Sequence, residues 1–553
     1  MNLFNSIRVR APKKNKFNLS HNIKCSTNFG RLYPFFCQET VPGDTFRMSA
    51  DILTRMSPMV APIMQNINVY THFFFVPYRL IWDDFETFIT GGKNGDGKNE
   101  KGQVVTHPYL SVSQNVQMGG NYLFSDGTLG DFLGYPAALD DYFEQGGSAN
   151  TLGASSLPFR AYQQIYNDYY RDENLTDPIE INKGNGAEVI NSTNYENYTL
   201  KNRAFPKDYF TSALPTPQRG AEVELPMGGV IGVDFNDVDS EGNFIESSVT
   251  TSQRFSSGDT LTVRELSTSG SQGNIFANTT GGNASRTAID NSRNLSVDMS
   301  HAQSPTIIEL RRALKVQEWL EKNARGGYRY IEQIFSHFGV KSSDARLQRA
   351  QYLGGGKSPI LISDILQTSS TDGTSPQGNM AGHGLGVSKV NSFKYFAEEH
   401  GFIIGIMSIL PQASYYQGLS RTLTRRKSED YFWPEFAHLG EQEIKKQELY
   451  FNDSELDENQ KTFGYAPRYS EYKYIPNSIH GDFRTNPSLQ KWHLARILPS
   501  NVALNNDFVT CKPDASNQRI FAVTDPNVDK FYNLIQVNCT AIRPMPKYGT
   551  PYL

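Results

Sequence analysis

The sequence predicts a mainly β protein, an antiparallel sandwich of the Greek-key or jelly-roll kind. One stretch, 67–76 (INVYTHFFFV), alternates with bulky side chains on both faces, so we expect a central strand that is covered twice. A second stretch, Phe402–Leu410, is apolar on both faces and stops at Pro411. A third, Phe531–Ile542, alternates near the end of the chain. Strands so distant in sequence imply non-local pairing, which is typical of these folds.

The first eighty residues predict a basic arm followed by three strands. Residues 1–26 have little periodicity and much positive charge, and we interpret them as an extended N-terminal arm. Apolar-rich segments at 28–41 and 45–56 flank a VPGD turn, and with the strand at Ile67 they are close enough to pair or to face one another. The third strand should end at Pro77, because proline has no N–H to donate to a ladder.

Two helical segments interrupt the predicted sandwich. Asp83 or Asp84 can begin a short helix, which Gly91 and Gly92 end. The segment 157–171 (LPFRAYQQIYNDYYR) places tyrosines at helical spacing after a proline near its start. Such a stripe is more often packing than a binding surface.

Residues 219–303 form a predicted polar insertion. Of these 85 residues, 38 are Ser, Thr, Gly or Asn, and none is Tyr, Trp or Lys. Such a composition cannot build much core, so we expect an exposed segment that its neighbours stabilise. TLTVREL, Thr260–Leu266, alternates and leaves a hairpin or small sheet open. The insertion separates the first part of the sandwich, 27–218, from the remainder, 304–553.

A helical hairpin is predicted where the last segment begins. Ser304 fits an N-cap with a proline at the first helical position, and an apolar stripe runs from Ile307 to Leu320 before a pair of glycines. A second helix, Tyr328–Phe338, should stop at Gly339. After the last strand, three prolines predict an extended C-terminal tail.

Charge and cysteine content narrow the class of protein. The net charge is −4, yet residues 1–38 carry seven basic and no acidic side chains, so the rest carries −11. A basic end on an acidic body suggests a tail that meets a polyanion. The four cysteines lack CxxC or zinc-ligand spacing and are interpreted as reduced core thiols. No secretory signal or membrane-spanning run is seen, so we expect a soluble protein made in a cytosol, with no membrane insertion.

No catalytic constellation, cofactor site or metal site is predicted. GGGKS at 354–358 is similar to a phosphate-binding loop, but Gln351 stands where the pattern needs glycine, and a flexible turn is favoured. The segment 237–242 copies the first half of a calcium loop, but its twelfth position is Ser248, and a polar loop is favoured. His72 fits a lone core histidine with one hydrogen bond better than a ligand or base.

Two clusters of cations are candidates for nucleic-acid contact. They are Arg8, Arg10, Lys13, Lys14 and Lys16 in the arm, and Arg421, Arg425, Arg426 and Lys427 after the YYQ segment 415–417. Cations near aromatic rings suit single-stranded nucleic acid, because phosphates are neutralised while bases stack without sequence readout. For the second cluster, a solvated or interface face fits equally well.

Several sequence blocks occur in the order of a known family. They are VPGDTF, APIM, FFVP, RLIWDD and FITGG early in the chain, then HFGV, DARLQR, YLGGG, EHG, FWPEFAHLGEQ, FGYAPRYSEYKY and AIRPMP. On these blocks the chain resembles the major capsid proteins of the Microviridae, in particular their gokushovirus branch. The blocks touch most of the chain outside 219–303.

This resemblance implies an eight-stranded antiparallel jelly roll with long loop and helical insertions. It implies a structural, non-enzymatic protein whose pentamers build a sixty-copy icosahedral shell around circular single-stranded DNA. By analogy, the basic arm lies inside the shell, and 219–303 forms a surface protrusion at the three-fold axes, thought to meet the host.

The resemblance also implies partners and a location. The partners are further copies of the chain, the DNA genome, scaffolding, DNA-pilot and DNA-packaging proteins, and a host cell-surface receptor. The location is the virion, after assembly in the host cytoplasm. The alternative is a stand-alone jelly-roll protein that binds a host or a glycan. An enzyme that uses GGGKS is a second, less favoured alternative.

Overall fold

The chain divides into two compact units, Met1–Arg219 with Glu321–Leu553, and Gly220–Leu320. The computed structural model describes residues 12–113, 122–145, 154–221, 223, 233–235, 273–276, 286–289, 295–297, 306–327, 329–366, 368, 380–390, 392–525 and 527–548. The TLTVREL segment, the half calcium loop and Ser304 lie outside these residues.

The strands lie mostly in the first unit. In chain order they are β1 Asn15–Asn18, β2 His21–Thr27, β3 Tyr33–Thr40, β4 Thr45–Met56, β5 Ile67–Pro77, β6 Tyr109–Val112, β7 Ala187–Ile190, β8 Val233–Phe235, β9 Gly273–Phe276, β10 Arg286–Ile289, β11 Leu295–Val297, β12 Gln351–Leu366, β13 Met380–Lys389, β14 Phe393–Phe396, β15 Gly401–Pro411, β16 Glu441–Lys445, β17 Thr462–Pro467 and β18 Phe531–Arg543. In the second unit, β8 pairs with β11 and β9 with β10, both antiparallel.

One large antiparallel sheet organises the first unit. Eight strands follow one another in the order β1-β18-β4-β13-β12-β5-β15-β3, while β2 also pairs with β18 and β14 with β4. The long strand β12 pairs with β5 along its first part and with β13 along its second, so the sheet curls at β12. The result is a jelly-roll fold with insertions, as predicted.

The two doubly apolar strands lie side by side in this sheet. Strands β5 and β15 pair along their whole length, from Pro77 opposite Gly401 to Ile67 opposite Pro411. Phe73 of β5 packs in the main core, whereas Phe74 packs in a second core on the other face. Both faces are therefore covered, and the prediction of central strands is confirmed.

The main core lies between the two halves of the curled sheet. It contains Phe46 and Ile52 from β4, Ile535 from β18, Phe73 from β5 and Met407 from β15, all nearly inaccessible to solvent. Each strand contributes alternate residues to this core, which is the pattern of a sandwich. Strands β3 and β4, on either side of the VPGD turn, pair with different partners and so face one another.

Of the described helices, one has 20 residues and the others have nine or fewer. They are α1 Tyr78–Ile81, α2 Phe85–Thr90, α3 Leu129–Phe132, α4 Ala138–Glu144, α5 Leu157–Ile165, α6 Ile307–Gly326, α7 Tyr330–Phe338, α8 Ser470–Lys473, α9 Asn506–Val509 and α10 Ala515–Gln518. A π turn, Tyr166–Tyr170, continues α5, and 3₁₀ turns occupy Tyr195–Tyr198, Arg421–Leu423, Ser428–Asp430, Pro434–Phe436, Lys446–Glu448, Leu456–Gln460, Gly481–Phe483 and Leu489–Trp492. Among the helices of the described residues, none is long and apolar enough to cross a membrane.

The predicted helices form, with differences at their starts. Helix α2 follows Asp84, but the Asp84 side chain makes no capping hydrogen bond. Before α6, Thr306 and Glu309 form a reciprocal capping box, in which the Thr306 N–H donates to Glu309 Oε2 at 2.7 Å. The helix therefore begins two residues later than a cap at Ser304 would place it. Gly339 ends α7 in the left-handed conformation, as predicted.

The tyrosine stripe on α5 is packing, as favoured. Tyr162 is buried, and its hydroxyl donates to the carbonyl oxygen of Leu32 at 2.9 Å. Ile165 and Tyr166 are buried beside it in the second core. The stripe thus fixes α5 against the sheet.

Candidate nucleic-acid interface

The arm is paired to the sheet for part of its length. Of its predicted cations, the described residues include Lys13, Lys14 and Lys16, whereas Arg8 and Arg10 lie outside them. Strand β1 carries Lys16 and pairs with the last strand, β18. The Lys14 ammonium donates to the carbonyl oxygen of Gly43 at 2.7 Å and lies 5.1 Å from the ring centroid of Phe396. Pairing from Asn15 onward was not predicted, because the alternation there is short and polar.

Two cations of the second cluster are engaged within the protein. Arg421 lies 3.5 Å from a carboxylate oxygen of Glu448, and Arg425 lies 3.3 Å from one of Glu471. The guanidinium of Arg425 also lies 4.3 Å from the ring centroid of Tyr472, and its side chain is only 9% exposed. A buried, paired guanidinium is a structural element of the fold.

The other two cations of that cluster are exposed. The backbone N–H groups of Arg426 and Lys427 donate to one carboxylate oxygen of Asp430 at 2.8 and 2.9 Å. These bonds lower the pKa of Asp430 and hold the turn. The side chains of Arg426 and Lys427 face solvent. The neighbouring Tyr415 is buried and donates to Asp208, so its ring is not an open stacking surface.

A larger basic surface lies on the outer face of the sheet. In β4, alternate residues such as Phe46 and Ile52 enter the main core, so Arg47, Asp51 and Arg55 lie on the opposite face. The same alternation holds in β18, where Tyr532 and Leu534 are exposed. We call this surface the basic sheet face.

Six exposed cations define the basic sheet face. They are Lys16 on β1, Lys24 on β2, Arg47 and Arg55 on β4, Lys389 on β13 and Lys394 on β14. Within the part of the chain that the structure describes, none of them lies within ion-pair distance of a carboxylate. From strand spacing and rise, the surface measures about 14 by 27 Å.

Two of these cations lie directly opposite each other. Lys394 of β14 pairs in register with Arg47 of β4. Like charges in opposite positions of neighbouring strands destabilise a sheet. A polyanion that bound across both strands would remove this repulsion.

The other end of the basic sheet face is apolar and aromatic. Tyr532, Leu534 and Leu53 line a shallow depression of about 540 Å³, which Lys24 and Arg55 flank. Tyr532 is 50% exposed. Exposed rings between cations are the arrangement on which bases of a single strand stack while phosphates meet the charges.

Comparison with known proteins decides the family. The profile of the family described as "Capsid protein (F protein)" matches residues 6–553. The chain belongs to this phage capsid protein family. It is 34% identical to "Capsid protein VP1" of Chlamydia phage 1, over 100% of this chain and 98% of that one. It is 36% identical to "Capsid protein VP1" of Bdellovibrio phage phiMH2K, over 97% and 95%, and 30% identical to that of Spiroplasma virus 4, over 98% and 95%. The resemblance to microvirus major capsid proteins is confirmed, and the chain is a structural capsid protein of this type.

The segment with GGGKS is a strand in this capsid protein. The three glycines lie in β12, paired with β5, rather than in a loop between a strand and a helix. A Cβ at Gly355 would collide with the backbone of Thr71, and Gly354 has φ of 153° beside a register shift. Both the phosphate-loop hypothesis and the favoured flexible turn are wrong, because these glycines serve close strand packing.

His72 of the capsid protein behaves as favoured. Its ring nitrogen Nδ1 lies 2.7 Å from the hydroxyl of Tyr170. Burial and the nearby Arg203 lower its pKa to about 4, so the ring is neutral at pH 7. Within the described residues, no group of three or more His, Cys, Asp or Glu side chains is placed to hold a metal ion.

The basic sheet face of the capsid protein had a signal in the sequence. TFRMSADILTRM of β4 alternates, and its outward positions carry both arginines. Cations that are adjacent in sequence are recognised as a cluster from the sequence alone. The cations of the basic sheet face are isolated along the chain and come together only through strand pairing.

Proposed function

We propose that this capsid protein builds a small icosahedral shell of sixty copies, grouped as pentamers, around a circular single-stranded DNA genome. The basic sheet face meets the genome. The observation that carries this contact is the set of six exposed cations on one sheet face, which form no ion pair among the described residues, although Asp51 lies opposite Lys389. Such a surface neutralises phosphates without reading sequence.

Exposed apolar side chains support contacts between subunits. Several are more than 70% exposed, among them Met64, Phe338, Leu423 and Ile475. Where exposed apolar side chains lie together, as Phe432 and Tyr472 do with ring centroids 6.3 Å apart, the surface is typical of one that another chain covers. Copies of the same chain are the partners that a shell supplies.

The polar insertion, 219–303, is proposed to form a protrusion at the three-fold axes and to attach to a host cell-surface receptor. Its composition supports an exposed position, because 38 of its 85 residues are Ser, Thr, Gly or Asn, which build little core. Scaffolding, DNA-pilot and DNA-packaging proteins are the further partners proposed, and the host cytoplasm is the proposed place of assembly.

Electron microscopy of the purified full chain, with and without circular single-stranded DNA, tests the shell. We expect closed particles of uniform size that protect the DNA from nuclease. A protein that stays monomeric at modest ionic strength and never closes into particles would contradict the proposal. It would favour a stand-alone protein that binds a host or a glycan.

Deletion of residues 2–16 tests the arm, together with Lys16 of the basic sheet face, which the deletion also removes. The deletion removes all five predicted arm cations, so we expect weaker retention of single-stranded DNA and a flatter dependence on salt. An unchanged salt slope would exclude the arm from DNA contact.

A further inference from the structure

A cavity of about 850 Å³ lies beside β5 in the first unit. Tyr70, His72 and Phe74 of β5 line it, together with Tyr170 of the π turn and Tyr352 of β12. Small-molecule sites in proteins measure about 300–1,000 Å³. The volume and the aromatic lining therefore suit a ligand with a flat ring.

Arg203 is the central charge of this cavity. Its guanidinium lies 4.2 Å from the ring centroid of Tyr70 and 5.7 Å from that of Tyr170. Its Nη1 donates to Ser408 Oγ at 2.9 Å. Burial lowers the pKa of Arg203, which reports the cost of holding this charge away from water.

Three other cations of the cavity have carboxylate partners. Lys207 lies 2.9 Å from Asp172, and Arg329 lies 3.7 Å from Glu173. Arg325 pairs in the same way with Glu441. In the described part of the chain, Arg203 has no such partner. An anion bound in the cavity would supply one.

A second cation reaches the same tyrosine. Lys357 of β12 lies directly opposite Tyr70 of β5, and its ammonium is 5.6 Å from the Tyr70 ring centroid. Lys357 makes no ion pair with a described residue. Two cations within 6 Å of one ring repel each other, so an anion with several oxygens, such as a phosphate, would relieve this repulsion.

Tyr352 is a suitable platform for a nucleobase. Its ring is 45% exposed. The rings of Phe74 and His72 support it at centroid distances of 5.6 and 5.8 Å. A ring that is held in place and still open to solvent can stack on a base of any sequence.

We propose that this cavity binds a nucleotide, with Arg203 holding the phosphate and Tyr352 stacking on the base. Lys357 lies beside Tyr70 and is not one of the lining residues, and it attracts the phosphate by its charge. The source is a free nucleotide or one nucleotide of a DNA strand, since both present this chemistry. The site differs from the basic sheet face in all of its residues, and it uses the lysine of GGGKS without a phosphate-binding loop.

Isothermal titration calorimetry of the full chain with dTMP, thymidine and inorganic phosphate tests the site. We expect saturable binding of dTMP, tighter than that of either fragment. Lys357→Gln should weaken dTMP and phosphate by about tenfold and leave thymidine unchanged, because only a charge-assisted contact is lost. Tyr352→Leu should weaken dTMP and thymidine by about fivefold or more and leave phosphate unchanged.

Matched variants separate the cavity from the rest of the surface. Arg203→Gln should abolish dTMP binding, and the variants at Lys357 and Tyr352 keep the test usable if this one does not fold. Lys389→Gln, on the basic sheet face, should leave dTMP binding unchanged. Competition by an oligothymidylate identifies a strand as the source, and its absence identifies a free nucleotide. The proposal would be overturned if the wild type showed no saturable dTMP binding. It would also be overturned if Lys357→Gln and Tyr352→Leu bound dTMP as tightly as the wild type.

Discussion

Neutralising Arg47 and Lys394 together should weaken DNA binding without weakening the fold. The two cations lie opposite each other on β4 and β14, and neither has a carboxylate partner among the described residues. Each phosphate contact contributes about 0.7 to the slope of log K against log salt for a single strand. The double variant Arg47→Gln, Lys394→Gln should therefore flatten the slope by about 1.4, equivalent to about 25-fold in affinity at 0.1 M salt.

Fluorescence anisotropy of a labelled oligothymidylate across a salt series measures this slope. The melting temperature of the same variant should stay equal or rise slightly, because removing two opposed like charges relieves repulsion in the sheet. A matched control is Lys461→Gln, Lys512→Gln, since both lysines are exposed and each pairs with a carboxylate. An unchanged slope in the test variant, or an equal change in the control, would refute the assignment of the basic sheet face.

Three further predictions concern the fold and the second cluster. Gly30→Ala should destabilise the protein by about 3 kcal/mol or more in urea unfolding, because its Cβ would collide with backbone atoms, whereas Gly95→Ala, also at positive φ but in open space, should cost about 1 kcal/mol. In the folded protein the pKa of His72 is lowered to about 4. The neutral ring therefore contributes its full stabilisation above the ordinary pKa of about 6.5, and this stabilisation is lost as pH falls toward 4. Unfolding free energy should therefore fall by about 2 kcal/mol between pH 7 and pH 5, and His72→Asn should remove this part of the dependence. Arg425→Gln should lower stability by about 3 kcal/mol and leave the salt slope of DNA binding unchanged, whereas Arg426→Gln should leave stability unchanged.

The strands of the core could be predicted because burial on both faces leaves a mark in the sequence. The residues around Phe73 and Ile404 are bulky at successive positions, which a half-exposed strand does not need. Sequence distance predicted only that the pairing is non-local, and the structure shows that β5 pairs with β15. Turn residues such as Gly43, with φ of 92°, were equally readable.

Strands β12 and β13 could not be predicted in the same way. Their glycines suggest turns, yet a Cβ at Gly384 would collide with Met56, and one at Gly355 with Thr71. The glycines make room for side chains of neighbouring strands, and that requirement is set by residues far along the chain. Local sequence does not carry it.

The candidate site was predicted in part. The run of cations from Arg421 to Lys427 does not reveal that two of them, Arg421 and Arg425, pair with Glu471, which lies 46 residues after Arg425. Conversely, Lys24 and Arg55 are isolated in sequence and become neighbours only through β18, which pairs with both of their strands. Where charges meet is a property of strand order, and no local motif encodes strand order.

The position of β18 between β4 and the two N-terminal strands determines when the sheet can be completed during synthesis. Strand β4 is complete at Met56, and its partner begins only at Phe531, about 475 residues later. At about 5–20 residues per second, a ribosome needs about half a minute to a minute and a half to supply that partner. During this interval the edge of β4 that pairs with β18 is unpaired in the nascent chain, and it stays unpaired in a prematurely terminated chain. A chain that ends before Phe531 therefore leaves this edge of β4 without its partner.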